Sequence, residues 1–454
     1  MPGGTTVCAA DLPARTAAIY DRGSTSVRCL DCATPTTQLL TATLPVCLPA
    51  CPPRPTRLAA TPVAPPIQPT FSSHTSGTKV GRGPMVPRRD RCPGVTMSMR
   101  RMTLGAGFRY LMSSVVRSDR QGPTADSLAL YYTLEGTPPG RFLGSGLAGL
   151  DGGTGVAPGS VVTEEHLWRM LGMLQDPVTG QALGRAPVAD RPACREAAGR
   201  RRPASRTVAG FDLTFSAPKS VSVAWALADA PTRERIYAAH QQALEFVIAY
   251  AEREVFTTRT GRGGVVSEPV RGVVAAGFDH WDSRAGDPQL HTHVVVLNRV
   301  QAASDGAWRT LDSRALFRAN VALSELYNGA LMDLLTADLG WGWEAQRRAR
   351  STSATWEVTG VAQALREEFS QRSTAINAAA QDLNAGFTAS HGRQPTAAEV
   401  IRLRQQATLA TRPAKELRPL ADLVRGWRAR AEPHLGSEPQ AWVATLEGRC
   451  ELPR

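Results

Sequence analysis

The sequence predicts an α+β fold in which a central group of strands precedes a long helical region. Apolar, β-branched segments with alternating polarity concentrate between residues 208 and 300, which is typical of strands. After residue 308 the apolar residues recur mostly at helical spacing. Strands and helices are thus segregated rather than alternating along the chain, which favours α+β over a doubly wound parallel sheet.

Residues 1–96 are expected to form a disordered basic arm. Residues 1–95 contain 15 of the 33 prolines, no Glu and no Trp, and ten Lys or Arg against four Asp. Such a composition cannot bury a core. The alternative is that the natural start lies at Met97, Met99 or Met102 and that the upstream residues are a mis-called extension.

Six of the eight cysteines lie in this arm. Cys29 and Cys32 are separated by two residues, and Cys47 and Cys51 by three, which is close to the spacing of a zinc ribbon. The intervening residues 33–46 are rich in Thr, Pro and Leu and show no clear hairpin turn. A structural zinc site is therefore disfavoured.

Local signals place the elements that follow. The Gly- and Pro-rich residues 135–155 are expected to form a long ordered loop. Thr163 is expected to cap a helix, and Pro218 and Pro231 occupy first-turn positions of two more, the second of which should bury Phe246 on its apolar side. The expected elements are strands at 208–215, 255–258, 264–267, 270–278 and 290–300 and helices at 163–174, 218–228, from 231, and at 313–339, 361–383, 397–409 and 417–431.

Three of the eight histidines fall within fourteen residues. His291 and His293 are two residues apart on a predicted strand, so their side chains should project from one sheet face. His280 ends the preceding predicted strand, and the loop between the strands is long enough for a wide hairpin that brings it alongside. Three neutral imidazoles that face one point predict a divalent-cation site with positions left for substrate.

Such a cation could hold a phosphodiester, but the nucleophile must come from elsewhere. Water would make the protein a hydrolase, whereas a tyrosine would form a covalent phosphotyrosine and preserve the bond for resealing. Tyr110, Tyr131 and Tyr132 cluster upstream. Asp212, on an otherwise apolar strand, is a candidate base for the phenol proton.

The overall charge points to a polyanionic partner. The chain carries a net charge of +12, and nucleic acid is the commonest partner of such a basic protein. Lys219 and Arg284 are candidates for phosphate contacts, with plain solvation as the alternative. No apolar run approaches the length of a membrane span and no signal peptide is evident, so a cytoplasmic protein is expected.

The ordered motifs resemble those of the conjugative relaxases of the TrwC/TraI type, the MobF family of the HUH endonuclease superfamily. The resemblance covers about residues 100–430. It is carried by the early tyrosines and by two specific runs, Gly210-Phe211-Asp212-Leu213-Thr214-Phe215-Ser216-Ala217-Pro218-Lys219-Ser220-Val221-Ser222 and His280-x10-His291-Thr292-His293.

The resemblance implies a central antiparallel sheet with flanking helices, histidines on the sheet face and a helical C-terminal flap that closes over single-stranded DNA. It implies a catalytic core at 97–320, a helical part at 321–435 and a tail at 436–454. Tyr110 would be the first nucleophile and Tyr131 the second, with Tyr132 beside it. Asp212 would assist proton removal or orient a histidine, and His280, His291 and His293 would hold one cation, Mg or Mn with Zn as the alternative.

By this resemblance the protein would nick one strand at a plasmid transfer origin, stay attached through a 5′-phosphotyrosine and later religate the strand. Its partners would be hairpin or single-stranded DNA, relaxosome accessory proteins and a type IV secretion coupling protein. The chain departs from many relatives in having Tyr110-Leu111 where they have a tyrosine pair. It also contains no Gly-x4-Gly-Lys-Ser/Thr phosphate loop, so neither ATP hydrolysis nor unwinding is expected.

Three other functions are compatible with these patterns. A rolling-circle replication initiator would use the same chemistry in another setting. A three-histidine metal hydrolase acting on a small substrate would need neither the tyrosines nor the basic charge. A non-catalytic DNA-binding remnant would bind a hairpin without nicking it.

Overall fold

A six-stranded antiparallel sheet carries Asp212 and the three clustered histidines that the sequence singles out. The computed structural model describes residues 96–112, 137–187, 206–347, 354–413, 418–436 and 438–449, and the backbone of two short strands at 194–195 and 201–202. All belong to one unit of the chain, Gly83–Arg454. Among the helices of these ranges, none has the length and apolar character needed to cross a membrane.

The strands run antiparallel to their neighbours throughout the sheet, in the order β1-β6-β10-β9-β2-β3. The remaining strands form separate two-stranded pairs. In chain order the strands are β1 (Met97–Thr103), β2 (Gly140–Leu143), β3 (Val161–Val162), β4 (Cys194–Arg195), β5 (Arg201–Arg202), β6 (Val208–Ser216), β7 (Thr257–Thr260), β8 (Val266–Pro269), β9 (Ala275–Asp282), β10 (Pro288–Leu297), β11 (Val300–Gln301), β12 (Trp308–Arg309), β13 (Trp343–Arg347) and β14 (Ala354–Val358).

Helices cover both faces of the sheet and dominate the C-terminal part. The α-helices are α1 (Arg109–Met112), α2 (Glu164–Leu167), α3 (Lys219–Leu227), α4 (Ala230–Glu254), α5 (Ser313–Leu339), α6 (Gln363–Glu368), α7 (Gln371–His391), α8 (Ala397–Ala410), α9 (Leu420–Leu435) and α10 (Pro439–Ala444). A π-helix, Trp168–Met173, continues α2.

Side chains alternate between two hydrophobic cores, one on each face of the sheet. Along β10, Val294 and Val296 enter the larger core with residues of α3, α4 and α5, whereas Val295 and Leu297 enter a smaller core with residues of α1 and α2. This follows from the period of two in a strand. The smaller core covers only part of its face, and the histidines lie on that same face.

Caps set the starts of the helices where the sequence predicts them. The Thr163 hydroxyl accepts a hydrogen bond from the His166 amide at 3.1 Å, which caps α2. Asp229 caps α4 by accepting from the Thr232 amide at 2.9 Å. Each bond satisfies an amide that has no partner within its helix, which stabilises the helix start by about 1 kcal/mol.

A tryptophan cluster joins the C-terminal helices to the sheet. Trp225 on α3 is buried. It stacks on Trp281 of β9 with ring centroids 5.3 Å apart and meets Trp427 of α9 at 6.1 Å. The helical C-terminal part is therefore packed, through the larger core, against strands whose other face carries the histidines.

A Trp225→Ala substitution should destabilise the protein by about 3–5 kcal/mol, because it leaves a cavity between three elements. Denaturant unfolding should show a lower midpoint with an unchanged m-value. A loss below about 1 kcal/mol would show that the neighbouring rings collapse into the space.

The predicted fold class, α+β with a central antiparallel sheet, is confirmed. Three local expectations are wrong, and two features were not expected. The predicted loop 135–155 contains β2 and two 3-10 turns, and the predicted helix 361–383 is divided into α6 and α7. The unexpected features are β1 and the β13–β14 hairpin. Phe246, assigned to the buried side of α4, is 50% exposed. The predicted N-terminal arm and its cysteines lie outside the described residues.

Candidate metal centre and nucleophile

Three histidines from two neighbouring strands converge on one point of the sheet face. His280 lies on β9 and is the register partner of His291 on β10, and His293 follows two residues later. The ring centroids are 5.1 Å apart for His280 and each of the other two, and 5.3 Å apart for His291 and His293. One ring nitrogen from each residue lies within 4.8 Å of the others. This spacing suits a single cation shared by three imidazoles.

Hydrogen bonds fix the tautomer of two of these rings. Nδ1 of His291 is 2.8 Å from the Gln289 carbonyl oxygen, and Nδ1 of His293 is 2.8 Å from Oδ1 of Asp212. Both partners only accept, so each Nδ1 carries the proton and each Nε2 presents a lone pair. This is the arrangement usual for metal-ligating histidines, and the donor set therefore fits a divalent cation.

The loop between His280 and His291 is held in place by α9. The Trp427 indole nitrogen donates to the Gly286 carbonyl oxygen at 2.7 Å, and the Arg430 guanidinium pairs with buried Asp287 at 3.0 Å. Gly286 has a φ of +76°, a backbone region that favours glycine. The C-terminal helices thus help to fix the hairpin that brings the histidines together.

Asp212 on β6 links the histidines to a tyrosine. Its side chain is buried, its Oδ1 accepts from His293, and its Oδ2 accepts from the Tyr110 hydroxyl. Burial opposes ionisation of this carboxyl, but the hydrogen bonds that it accepts from His293, Tyr110 and Thr214 outweigh burial, so the pKa of Asp212 lies below its usual value. A carboxylate is therefore in place to accept the phenol proton.

Tyr110 is positioned by the short helix α1. Its neighbours Phe108 and Leu111 are buried in the smaller core, which turns the phenol toward the histidines. The Tyr110 ring meets the edge of the His293 ring at 5.9 Å. Burial, then the charge and hydrogen bond of Asp212, raise the pKa of Tyr110 above its usual value. The phenol therefore keeps its proton until a positive group or a base assists its release.

An Asp212→Asn substitution should slow covalent reaction of Tyr110 by about 10²- to 10⁴-fold, because the amide cannot take the phenol proton. Metal affinity should also fall by about 10- to 100-fold, since His293 loses its charged partner. Cleavage rates at saturating metal separate the two effects. A rate fully restored by excess metal would assign Asp212 to ligand orientation alone.

The remaining residues predicted for the site are Lys219, Arg284, Tyr131 and Tyr132. Nζ of Lys219 donates to the carbonyl oxygens of Pro288 and Phe369 at 2.8 and 2.9 Å, and burial lowers its pKa to about 8. This gives Lys219 a structural role, and its contact with DNA stays a prediction. Arg284 lies in the histidine loop, where burial and the charges of Arg412 and Arg372 lower its pKa. Tyr131 and Tyr132 lie outside the described residues.

A buried polar network behind the histidines was missed by sequence reasoning. The Asp279 carboxylate accepts from Tyr237 at 2.8 Å, from Gln241 at 3.0 Å and from Thr292 at 2.5 Å, and it also pairs with Arg141. The alternation of side-chain directions along β9 and β10 is the sequence feature that indicates this network. Asp279 precedes His280 and Thr292 separates the other two histidines, so both must point to the opposite face.

His240 extends this network into α4 and α5. Its Nε2 is 2.8 Å from the Thr292 hydroxyl and its Nδ1 is 2.7 Å from the Tyr327 hydroxyl. Complete burial lowers the pKa of His240 to about 4, so it is neutral at physiological pH. The network holds β9 and β10 in register from behind, and His240 adds no positive charge to it.

Comparison with known proteins places this site in a family. A family model described as TrwC relaxase matches residues 104–434. The multifunctional conjugation protein TraI of Escherichia coli is 38% identical over 180 residues, which cover 37% of this chain and 10% of that protein. TraI of strain K12 is 34% identical over 216 residues, 45% of this chain and 11% of that protein. The chain thus spans about a tenth of the length of these relatives.

Solved structures of the conjugative relaxase TrwC with oriT DNA share the fold. A copper-bound complex matches with a TM-score of 0.52 and 25% identity, and the match covers 74% of this chain and 98% of that one. A complex with a 27-mer DNA that comprises the recognition hairpin and the cleavage site matches with a TM-score of 0.50, 25% identity and the same coverage. The family match includes Tyr110, Asp212 and all three histidines. The chain belongs to the TrwC relaxase family.

Proposed function

We propose that this protein is a metal-dependent DNA strand transferase that nicks single-stranded DNA at a plasmid transfer origin and later religates it. The observation that carries the proposal is the chain of contacts from the Tyr110 hydroxyl through Asp212 to His293. It sets a nucleophile and its base directly beside a three-imidazole site. A water-using hydrolase would not need a buried phenol in that position.

The chemistry is a transesterification. The Tyr110 oxygen attacks the scissile phosphorus, the bond from phosphorus to the 3′ oxygen breaks, and a 5′-phosphotyrosine forms. Asp212 takes the phenol proton, which ends on the departing 3′ oxygen. The reverse attack by a 3′ hydroxyl restores the phosphodiester without any added energy source. Tyr131 is proposed for a second cleavage, with Tyr132 beside it.

His280, His291 and His293 would hold one divalent cation, the latter two through their Nε2 atoms. When bound, the cation would offset the negative charge of the scissile phosphate. Three neutral ligands leave the full positive charge available for that purpose. We propose Mg or Mn, with Zn as the alternative that an imidazole-only site also suits.

The substrate proposed is single-stranded DNA next to a hairpin. One TrwC complex contains a 27-mer DNA that comprises the recognition hairpin and the cleavage site. Helices α7 and α8 expose most of their surface and would close over the strand as the predicted flap. Relaxosome accessory proteins and a type IV secretion coupling protein are the proposed protein partners, with the cytoplasm as the site of action.

The proposal is tested by capturing covalent adducts from DNA. The full chain is incubated with a labelled, randomised single-stranded oligonucleotide pool that contains a hairpin, with Mg, Mn or Zn or with a chelator. Adducts that survive denaturation are isolated and the attached DNA is sequenced. We expect adducts that require metal and share one cleavage site, which then provides a defined substrate.

Two outcomes would contradict the proposal. Metal-dependent cleavage that leaves a free 5′ phosphate and no adduct would indicate a hydrolase. Hairpin binding without cleavage under any metal would indicate a DNA-binding remnant. A rolling-circle initiator would give the same adduct, but its captured site would match a replication origin rather than a transfer origin.

A further inference from the structure

Strand β1 presents two consecutive arginines to opposite faces of the sheet. Arg100 is the register partner of Asp212, and Arg101 is the partner of Phe211. Partners across an antiparallel ladder project from the same face. Arg100 therefore lies on the face that carries the histidines. Arg101 lies on the other face, where its guanidinium is 4.6 Å from the centre of the Phe317 ring.

Arg100 is an exposed cation beside the nucleophile. Its side chain is exposed to solvent, while its strand partner Asp212 is buried and bonded to the Tyr110 hydroxyl. Arg100 is close enough to Tyr110 for its charge to act on the phenol. An exposed guanidinium at this point can meet a DNA strand that approaches from solvent.

The proposed reaction needs positive charge at this point. As the bond from the Tyr110 oxygen to phosphorus forms and the bond to the 3′ oxygen breaks, negative charge accumulates on the two non-bridging oxygens. The cation that the histidines would hold supplies part of this charge, but Asp212 is an anion within the same site. A guanidinium offers a planar fork of donors that matches two phosphate oxygens.

We propose that Arg100 is a further catalytic residue, whose guanidinium binds the non-bridging oxygens of the phosphate that Tyr110 attacks. This inference rests on the proposed function of Tyr110 as nucleophile. It assigns chemistry to a residue outside every motif that carries the family resemblance. Arg101, with the same charge on the same strand, should take no part.

The first test compares single-turnover adduct formation at saturating DNA, with the substrate defined by adduct capture. Arg100→Gln should lower the rate by about 10²- to 10³-fold, the usual loss when one donor to a transition-state oxyanion is removed. Arg100→Lys should recover part of the rate, because it restores the charge but not the fork. Arg101→Gln is the matched control and should react like the unaltered protein.

A second measurement separates contact with the reacting phosphate from DNA binding elsewhere or from folding. The scissile phosphate is replaced by each of its two phosphorothioate diastereomers, which put sulfur at one non-bridging oxygen at a time. The rate ratio of the two diastereomers should change in Arg100→Gln and stay constant in Arg101→Gln. A thermal midpoint equal to that of the unaltered protein confirms that Arg100→Gln is folded.

The outcomes separate this inference from the proposed function. If the unaltered protein forms no adduct, the proposed function fails and the role of Arg100 falls with it. If the unaltered protein reacts and Arg100→Gln reacts equally fast, or slows with an unchanged diastereomer ratio, the role of Arg100 alone is overturned.

Discussion

A Tyr110→Phe substitution should abolish covalent attachment of the protein to single-stranded DNA while leaving DNA binding intact. The change removes only the hydroxyl that Asp212 accepts, and the ring remains packed against His293. Loss of a nucleophile costs on the order of 10⁴-fold or more in rate. Denaturing gels of the labelled adduct measure the rate, and gel mobility shifts measure binding.

The matched controls are Tyr131→Phe and Tyr132→Phe. Each removes one hydroxyl from a tyrosine in the same early cluster, and each should leave the first cleavage unchanged. The double variant Tyr110→Phe with Tyr131→Phe tests whether one tyrosine can act as nucleophile in place of the other. Adduct formation by that double variant at the rate of the unaltered protein would refute both nucleophile assignments.

Replacement of His280 and His291 by Ala should remove the bound cation and with it DNA cleavage. One remaining imidazole is a weak ligand set for a divalent ion in water, because the proposed site depends on three imidazoles and zinc sites use at least three protein ligands. Metal analysis of the purified protein should fall from about one ion per chain to none. Cleavage should fall by on the order of 10³-fold, as expected when the charge that offsets the phosphate is lost.

The control for this variant is His391→Gln, which changes an exposed histidine at the end of α7. It should keep both the ion and the activity. A double alanine variant that still binds one ion, or that cleaves DNA at the normal rate without it, would contradict the assignment of the histidines.

Local patterns in the sequence were sufficient to place the core of the site. The period of two put His291 and His293 on one face, and the register of β9 and β10 brings His280 beside them. Asp212 stood out because a carboxyl on an apolar strand needs a partner. Distances to that partner could not be predicted, because they depend on the pairing of β6 with β10 and on the docking of α1.

The errors have physical causes. Gly140 contributes to the glycine-rich composition that predicted a loop at 135–155. A Cβ at this position would clash with the Phe278 ring, so close packing requires glycine inside β2. The β13–β14 hairpin is short, and only Glu357 and Val358 are buried among its described side chains, so its sequence shows no alternating apolar pattern. Phe246 fits the apolar side of α4 by helical spacing, but it is 50% exposed while the next residue, Val247, is buried, so Phe246 lies at the margin of that side.

Arg100 could not have been assigned from the sequence. Two adjacent arginines on a strand give no sign of which one faces the site, because the face depends on the register with β6. The family motifs begin after this strand. Only the pairing of Arg100 with Asp212 distinguishes Arg100, which lies beside the nucleophile, from Arg101, which packs against the Phe317 ring.

The most direct test of the central claim is to locate the DNA on the protein. Trypsin cuts the chain so that Tyr110 lies on the peptide 110–117, whereas Tyr131 and Tyr132 share the peptide 121–141. Tandem mass spectrometry of the digested adduct should find the nucleotide phosphate on Tyr110, and only in samples that contained a divalent cation. Cleaved DNA with every tyrosine unmodified, or a phosphate on peptide 121–141 alone, would contradict the account.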